Sequence, residues 1–124
     1  AGNQKKPFRT WKNEGFANLD WEKMHEALTG VIESDFGTAR SIRSLKTFQV
    51  AGKSGTAELV SLDSKEAYQE VRNSELLRDH SIIIAFGPMP NPKYAVSVVI
   101  ENGESGGAVA GPVAIEVLKS LIDE

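Results

Sequence analysis

The apolar positions of this chain fall into a few patterned stretches separated by polar or glycine-rich ones. Trp21, Met24, Leu28, Val31 and Ile32 recur at steps of three and four, which lines one face of a helix. The spacing predicts a helix over 18–33, capped by Asn18 or Asp20 and stopped at Ser34-Asp35-Phe36-Gly37, where Gly37 takes a positive φ cheaply. His25 falls off the stripe and reads as a solvated helix residue. The run Lys53 to Val60 holds β-formers in rough alternation with Gly52 and Gly55 as punctuation, and predicts a strand over 53–61. Residues 62–80 are polar and only loosely periodic, a long loop or partial helix. Two further strands are expected at 81–87 and 94–101, both apolar with little alternation, the sign of strands covered on both faces. The segment Pro88-Met89-Pro90-Asn91-Pro92-Lys93 between them suits antiparallel neighbours and is too short for a crossover helix. After a turn rich in glycine, Val109, Val113, Ile115, Val117, Leu118, Leu121 and Ile122 suit a final helix over 106–122, buried on the sheet. Residues 1–17 mix Pro, Gly, Asn and charge with Phe8, Trp11 and Phe16, an irregular or extended leading segment. The fold class is therefore α+β: an antiparallel sheet of three strands flanked by helices, one of them C-terminal.

Composition narrows the chemistry. With 124 residues, 40% hydrophobic and 25% charged, the chain matches an ordinary globular domain. Fourteen Lys and Arg against seventeen Asp and Glu give a net charge of −3, which argues against a nucleic-acid partner. The absence of Cys removes disulfides, Cys-ligated zinc and thiol nucleophiles, without fixing a compartment. His25 and His80 stand in no metal-ligand spacing, so neither a metal nor another cofactor is implied. No apolar leader follows Ala1, and no run of about 18 apolar residues occurs.

The segment that carries chemistry is Gly52-Lys53-Ser54-Gly55-Thr56. A phosphate loop would need a glycine at 47, where Thr47 stands, and a helix after Ser54, where β-formers follow. A turn with a surface lysine is the plain alternative. On an edge strand the same residues take a third meaning. Gly55 lets an extended ligand approach the backbone, and Ser54 and Thr56, two apart, put hydroxyls on one face toward a carboxylate. Lys53 adds a positive charge, and outward N–H groups are free to pair with a ligand or an oxyanion.

Val50-Ala51-Gly52-Lys53-Ser54-Gly55-Thr56-Ala57-Glu58 resembles the third active-site motif, K-[ST]-G-T-[AG], of the penicillin-binding transpeptidases and the wider group that includes serine β-lactamases. The surroundings resemble it too: Phe36-Gly37-Thr38-Ala39 upstream, then Leu77-Arg78-Asp79-His80, Ile84-Ala85-Phe86-Gly87-Pro88, Asn91 to Val96, and Glu101-Asn102-Gly103. The likeness covers about residues 18–122 and is greatest to the elongation-type class B penicillin-binding proteins. It implies part of the serine β-lactamase/transpeptidase fold and a D,D-transpeptidase that cross-links peptidoglycan stem peptides through a serine acyl-enzyme and is acylated by β-lactams. The family's S-x-x-K and S-x-N motifs do not occur; Ser61-Leu62-Asp63-Ser64-Lys65 misses the spacing by one. The chain is thus expected to be the C-terminal segment of the transpeptidase domain, inactive without the missing N-terminal part.

Carried over by resemblance, Lys53 polarises the relay serine, Ser54 and Thr56 bind the carboxylate of substrate or antibiotic, Thr56 N–H is one oxyanion-hole donor, and Gly55 keeps the strand open to the D-Ala-D-Ala end. The resemblance also implies a membrane glycosyltransferase and cell-shape proteins as partners, and a place on the periplasmic side of the bacterial inner membrane. A β-lactamase or β-lactam-sensing domain of the same fold, and a non-catalytic module that binds peptide along the edge strand, remain alternatives. Asp79 and His80 read as a local cap at a strand start, with the far rim of the cleft as the alternative, and Arg40, Arg43 and Lys46 as a solvated turn, with a basic rim that attracts anionic glycan peptides as the alternative.

Overall fold

A computed structural model describes residues 20–59 and 75–123. The expected leading segment 1–17, the Asn18 cap, residues 60–61 of the expected first strand and residues 62–74 of the expected loop lie outside the described residues.

Helix α1 spans Trp21–Glu33. Asp20 caps it: its Oδ1 accepts the Lys23 N–H at 3.0 Å, which satisfies one donor that the first turn leaves without a helical partner. That N–H, and then the Lys23 side chain beside it, hold the Asp20 carboxyl below its ordinary range. The turn after α1 needs glycine at position 37 for a different reason than a positive φ, which no described glycine adopts. A Cβ there would lie 2.3 Å from the Val31 carbonyl oxygen and 2.7 Å from that of Gly30, so the chain folds back onto the helix end only where a side chain is missing.

A 3₁₀ helix, Arg40–Leu45, follows and sends Ile42 into the core. Its basic residues do not simply face water. Arg43 Nη1 donates to the Glu33 carbonyl at 2.7 Å and to Asp35 Oδ1 at 3.0 Å, at the helix end where carbonyls carry partial negative charge. The Lys46 side chain is only 3% exposed; it pairs with the Glu33 carboxylate and donates to the Phe48 carbonyl at 2.9 Å. Glu33 Oε1 also accepts the Val50 N–H at 3.2 Å. Two charges therefore fix the end of α1 to the start of the first strand.

The sheet is antiparallel in the order β1 (Ala51–Ala57), β2 (His80–Gly87), β3 (Tyr94–Ile100). Strand β1 starts two residues earlier than the spacing predicts, because Ala51 and Gly52 pair with Phe86 and Ala85. It leaves the ladder after Ala57, where the chain turns so that the Leu59 N–H reaches Asp79 Oδ1 at 3.4 Å. The expectation that β2 and β3 are covered on both faces does not hold among the described residues. Ser81, Ile83 and Ala85 are buried on one face, whereas Ile84 on the other is 48% exposed and Val99 59%. The core gathers on the first face, where Ile83 and Ala85 meet Ile32, Ile42, Val50, Ala114, Ile115 and Leu118. Burying each large aliphatic side chain there contributes about 1.5–3 kcal/mol. His25 is half-buried rather than solvated, with its ring 5.8 Å from that of Phe86.

The last apolar stretch divides in two. A wide π-type turn, Gly106–Ala110, precedes helix α2, Gly111–Ile122, which has Pro112 in its first turn, where a missing N–H costs nothing.

Candidate active site

The Lys53-Ser54-Gly55-Thr56 segment occupies the middle of β1, which is an edge of the sheet among the described residues. The register sets its side chains. Lys53 lies opposite Ile84 and Gly55 opposite Ile82, so these share one face; Ser54 opposite Ile83 and Thr56 opposite Ser81 share the other. The two hydroxyls thus stand on the core side and the Lys53 side chain, exposed, on the opposite side, with the outward backbone groups of the edge between them. A ligand laid along this edge meets hydroxyls from one side and an ammonium from the other.

Each hydroxyl has a neighbour already. Ser54 Oγ lies 3.0 Å from Thr38 Oγ1, and Thr56 Oγ1 donates to the Glu104 carbonyl at a long 3.5 Å. A hydroxyl has one donor and two acceptor sites, so the Ser54–Thr38 pair retains a proton to offer an incoming anion. Lys53 Nζ donates to the Ser54 carbonyl, not to its hydroxyl. The arrangement leaves hydroxyl donors on one side of the strand and an ammonium on the other, groups that an anion can accept from.

Thr38 is the residue that sequence reasoning passed over. It sits in the Phe36-Gly37-Thr38-Ala39 turn, whose likeness to the family is legible, but its contact with Ser54 spans 16 residues and follows from no local pattern. Asp79 and His80 build the rim beyond Thr56. The Asp79 carbonyl accepts the Glu104 N–H at 2.8 Å, and His80 Nδ1 accepts the Asn102 N–H at 3.0 Å. Asn102 Nδ2 donates to the Leu76 and Arg78 carbonyls, both at 3.0 Å. Asn102 and Glu104 have φ of 55° and 66°, left-handed conformations held by these bonds, and the turn they form carries the Glu104 carbonyl to Thr56.

Among the described residues no group of three or more His, Asp or Glu side chains is placed to hold a metal ion. A surface cleft of about 420 Å³ beside α1 is lined by Glu22, His25, Glu26, Thr29, Gln49, Met89 and Pro90 and shares no residue with the motif.

The profile of the penicillin binding protein transpeptidase domain matches residues 3–119. Over 91 residues the chain is 43% identical to the peptidoglycan D,D-transpeptidase MrdA of Acinetobacter baumannii, a match that covers 73% of this chain and 13% of that protein. Among solved structures, Pseudomonas aeruginosa PBP2 in complex with WCK 5153 is similar at a TM-score of 0.66 and 34% identity, over 82% of this chain and 19% of that one. The complex of PBP2 and MreC from Helicobacter pylori gives 0.62 and 25%, over 81% and 17%. The chain spans between 13% and 16% of the length of the curated relatives it matches.

Proposed function

Because this chain belongs to the penicillin-binding protein transpeptidase family, we propose that it is the C-terminal part of a peptidoglycan D,D-transpeptidase and forms the third-motif wall of its active site. The observation that carries the reading is the arrangement on β1: Ser54 and Thr56 hydroxyls on one face, the Lys53 ammonium on the other, and between them an edge that pairs with no further strand among the described residues.

In the reaction a serine of the domain's N-terminal part, outside this chain, attacks the carbonyl between the two terminal D-alanines of a stem peptide. The C–N bond breaks, the last D-alanine leaves as an amine with a proton, and an acyl-enzyme ester remains. An amine from a second stem peptide then attacks the ester, which closes the cross-link and returns the proton to the serine. Ser54 and Thr56 hold the terminal carboxylate, which fixes the scissile carbonyl along the strand. The Thr56 N–H points at the oxyanion that develops, and Lys53 stabilises the deprotonated relay serine beyond the opposite face. Gly55 keeps the backbone open at the point of closest approach. A β-lactam carries a carboxylate in the corresponding place, so it enters the same wall and acylates the same serine.

The half-exposed Ile84 and Val99 belong to a face that the rest of the domain covers, the part that also supplies the S-x-x-K and S-x-N groups. Partners follow from the same reading: a cell-shape protein, as in the MreC complex of the Helicobacter pylori relative, and a membrane glycosyltransferase that makes the glycan strands. The site of action is the periplasmic face of the inner membrane. No helix among the described residues is long and apolar enough to cross a membrane. Relatives named as transpeptidases favour this reading over a β-lactamase, a sensor or a non-catalytic peptide binder.

A labelled penicillin tests it. The complete protein is expected to take up one covalent label on a serine outside this chain, with none on the chain alone; labelling of a serine within residues 1–124 would overturn the assignment.

A further inference from the structure

Two glycines outside the motif lie against the backbone of the site with no room for a side chain. A Cβ on Gly106 would lie 2.5 Å from the Gly55 carbonyl oxygen, 3.0 Å from the Gly55 nitrogen and 2.3 Å from the Ile82 carbonyl oxygen. A Cβ on Gly107 would lie 2.8 Å from the Thr38 carbonyl oxygen and 3.0 Å from Ala39 Cα. All five obstacles are backbone atoms, which cannot rotate away. The turn Gly106–Ala110 is therefore a wedge one backbone thick, with the motif strand at Gly55 on one side of it and the Thr38 turn on the other.

The wedge is fastened from below. Ser81, 0% exposed and the register partner of Thr56, donates through Oγ to the Ser105 carbonyl at 2.7 Å and accepts the Ala110 N–H at 3.1 Å, so one hydroxyl holds both ends of the turn. A π-type turn is a rare local conformation found often at functional sites, and this one is pinned at both ends beside the motif strand. Its thickness sets the gap between β1 and the Thr38 turn, and that gap is what brings Thr38 Oγ1 within 3.0 Å of Ser54 Oγ.

From this geometry we infer that Gly106 and Gly107 are positioning residues for carboxylate recognition: the wedge they form orients the Ser54 hydroxyl through Thr38 and fixes the backbone at Gly55. The inference rests on the proposed role of Ser54 as a carboxylate ligand. A methyl on Gly107 pushes the Thr38 turn away from the strand and releases the Ser54 rotor, whereas the strand itself and Lys53 stay in place. The loss then falls on carboxylate binding and spares the acylation step.

The test uses the complete transpeptidase with Gly107→Ala, Gly106→Ala and Ser81→Ala, each acylated by a penicillin and by its carboxylate methyl ester. For Gly107→Ala the binding constant of the free acid is expected to weaken about tenfold while its limiting acylation rate and the ester's overall efficiency stay within twofold, a split typical of lost ground-state contacts. Equal losses for acid and ester, or no loss, would overturn the inference. Ser81→Ala, which deletes no contact with substrate and introduces no clash, is expected to weaken the acid preference in the same direction even if both glycine variants fail to fold; an unchanged preference counts against the wedge. Amide exchange of the same proteins without ligand separates the two readings. Faster exchange at Gly55 with unchanged β3 is expected for Gly106→Ala and Ser81→Ala, whose contacts reach the strand, and unchanged exchange at Gly55 in both overturns the wedge. A wild-type protein that no penicillin acylates, together with the expected exchange pattern, overturns only the functional reading.

Discussion

Replacing Glu33 by leucine should destabilise the domain considerably more than replacing its partner Lys46 by methionine. The Lys46 side chain is 3% exposed and that of Glu33 21%, so the two halves of the pair differ in their access to water. Without the carboxylate, the ammonium is left in a nearly dry site with the Phe48 carbonyl as its remaining acceptor, and the Val50 N–H loses its partner. Breaking a buried pair from one side costs about 3–5 kcal/mol. Without the lysine, Glu33 keeps the Val50 N–H and reaches water, and the cost falls to about 1–3 kcal/mol. The double variant Glu33→Leu/Lys46→Met removes both charges and leaves one unpaired N–H, so it should recover most of the loss. Denaturant midpoints of the complete domain, compared at constant m-value, measure all three. Equal costs for the single variants, or a double variant no more stable than Glu33→Leu, would refute the reasoning that the dry ammonium sets the penalty. Since Val50 leads directly into β1, Glu33→Leu should also slow acylation, and Glu33→Gln, which keeps an acceptor for Val50, should slow it less.

Three further outcomes are expected. Lys53→Ala in the complete protein should lower the acylation rate by about a hundredfold or more, the scale of losing an electrostatic stabiliser at a reacting centre, and a rate within twofold of wild type would remove the assigned role. Thr56→Val should weaken the affinity for carboxylate-bearing β-lactams with an unchanged melting temperature, since the hydroxyl is exposed and its one described bond is long; a drop in melting temperature with unchanged affinity would make Thr56 a structural residue instead. Asp20 has a folded pKa below its unfolded one, so its contribution to α1 is complete above the ordinary carboxylate range and is lost as pH falls through the lowered folded value. Asp20→Asn keeps a cap without titrating, and a helix signal followed by circular dichroism between about pH 5 and pH 2 should show a pH dependence in wild type that this variant lacks.

Local patterning made the skeleton legible. The three- and four-residue steps of Trp21 to Ile32 mark α1, the β-rich runs around Ile83 and Val98 mark β2 and β3, and the short proline-rich connection makes them antiparallel. What escaped depends on partners distant in sequence. Ala51 and Gly52 become strand only because Phe86 and Ala85 lie beside them, which no property of the pair itself announces. Lys46 reads as solvated because its partner Glu33 is 13 residues upstream, and burial of a lysine is decided by that partner. Gly37 was legible as a turn glycine with the wrong reason attached, since close approach to Val31 demands it. At the site, the motif residues were readable as a string, but the division of Lys53 from Ser54 and Thr56 across the sheet, the Thr38 contact and the glycine wedge are properties of register and packing. The unbroken apolar runs of β2 and β3 suggested two covered faces, and the described residues cover only one of them.

In the proposed function β1 holds a carboxylate between the hydroxyl face and the strand edge. A crystal structure of the complete protein acylated by a penicillin measures it directly. An antibiotic carboxylate is expected within about 3 Å of both Ser54 Oγ and Thr56 Oγ1, hydrogen-bond range for O–H to O⁻. A carboxylate turned into solvent, or bound by residues away from β1, would contradict it.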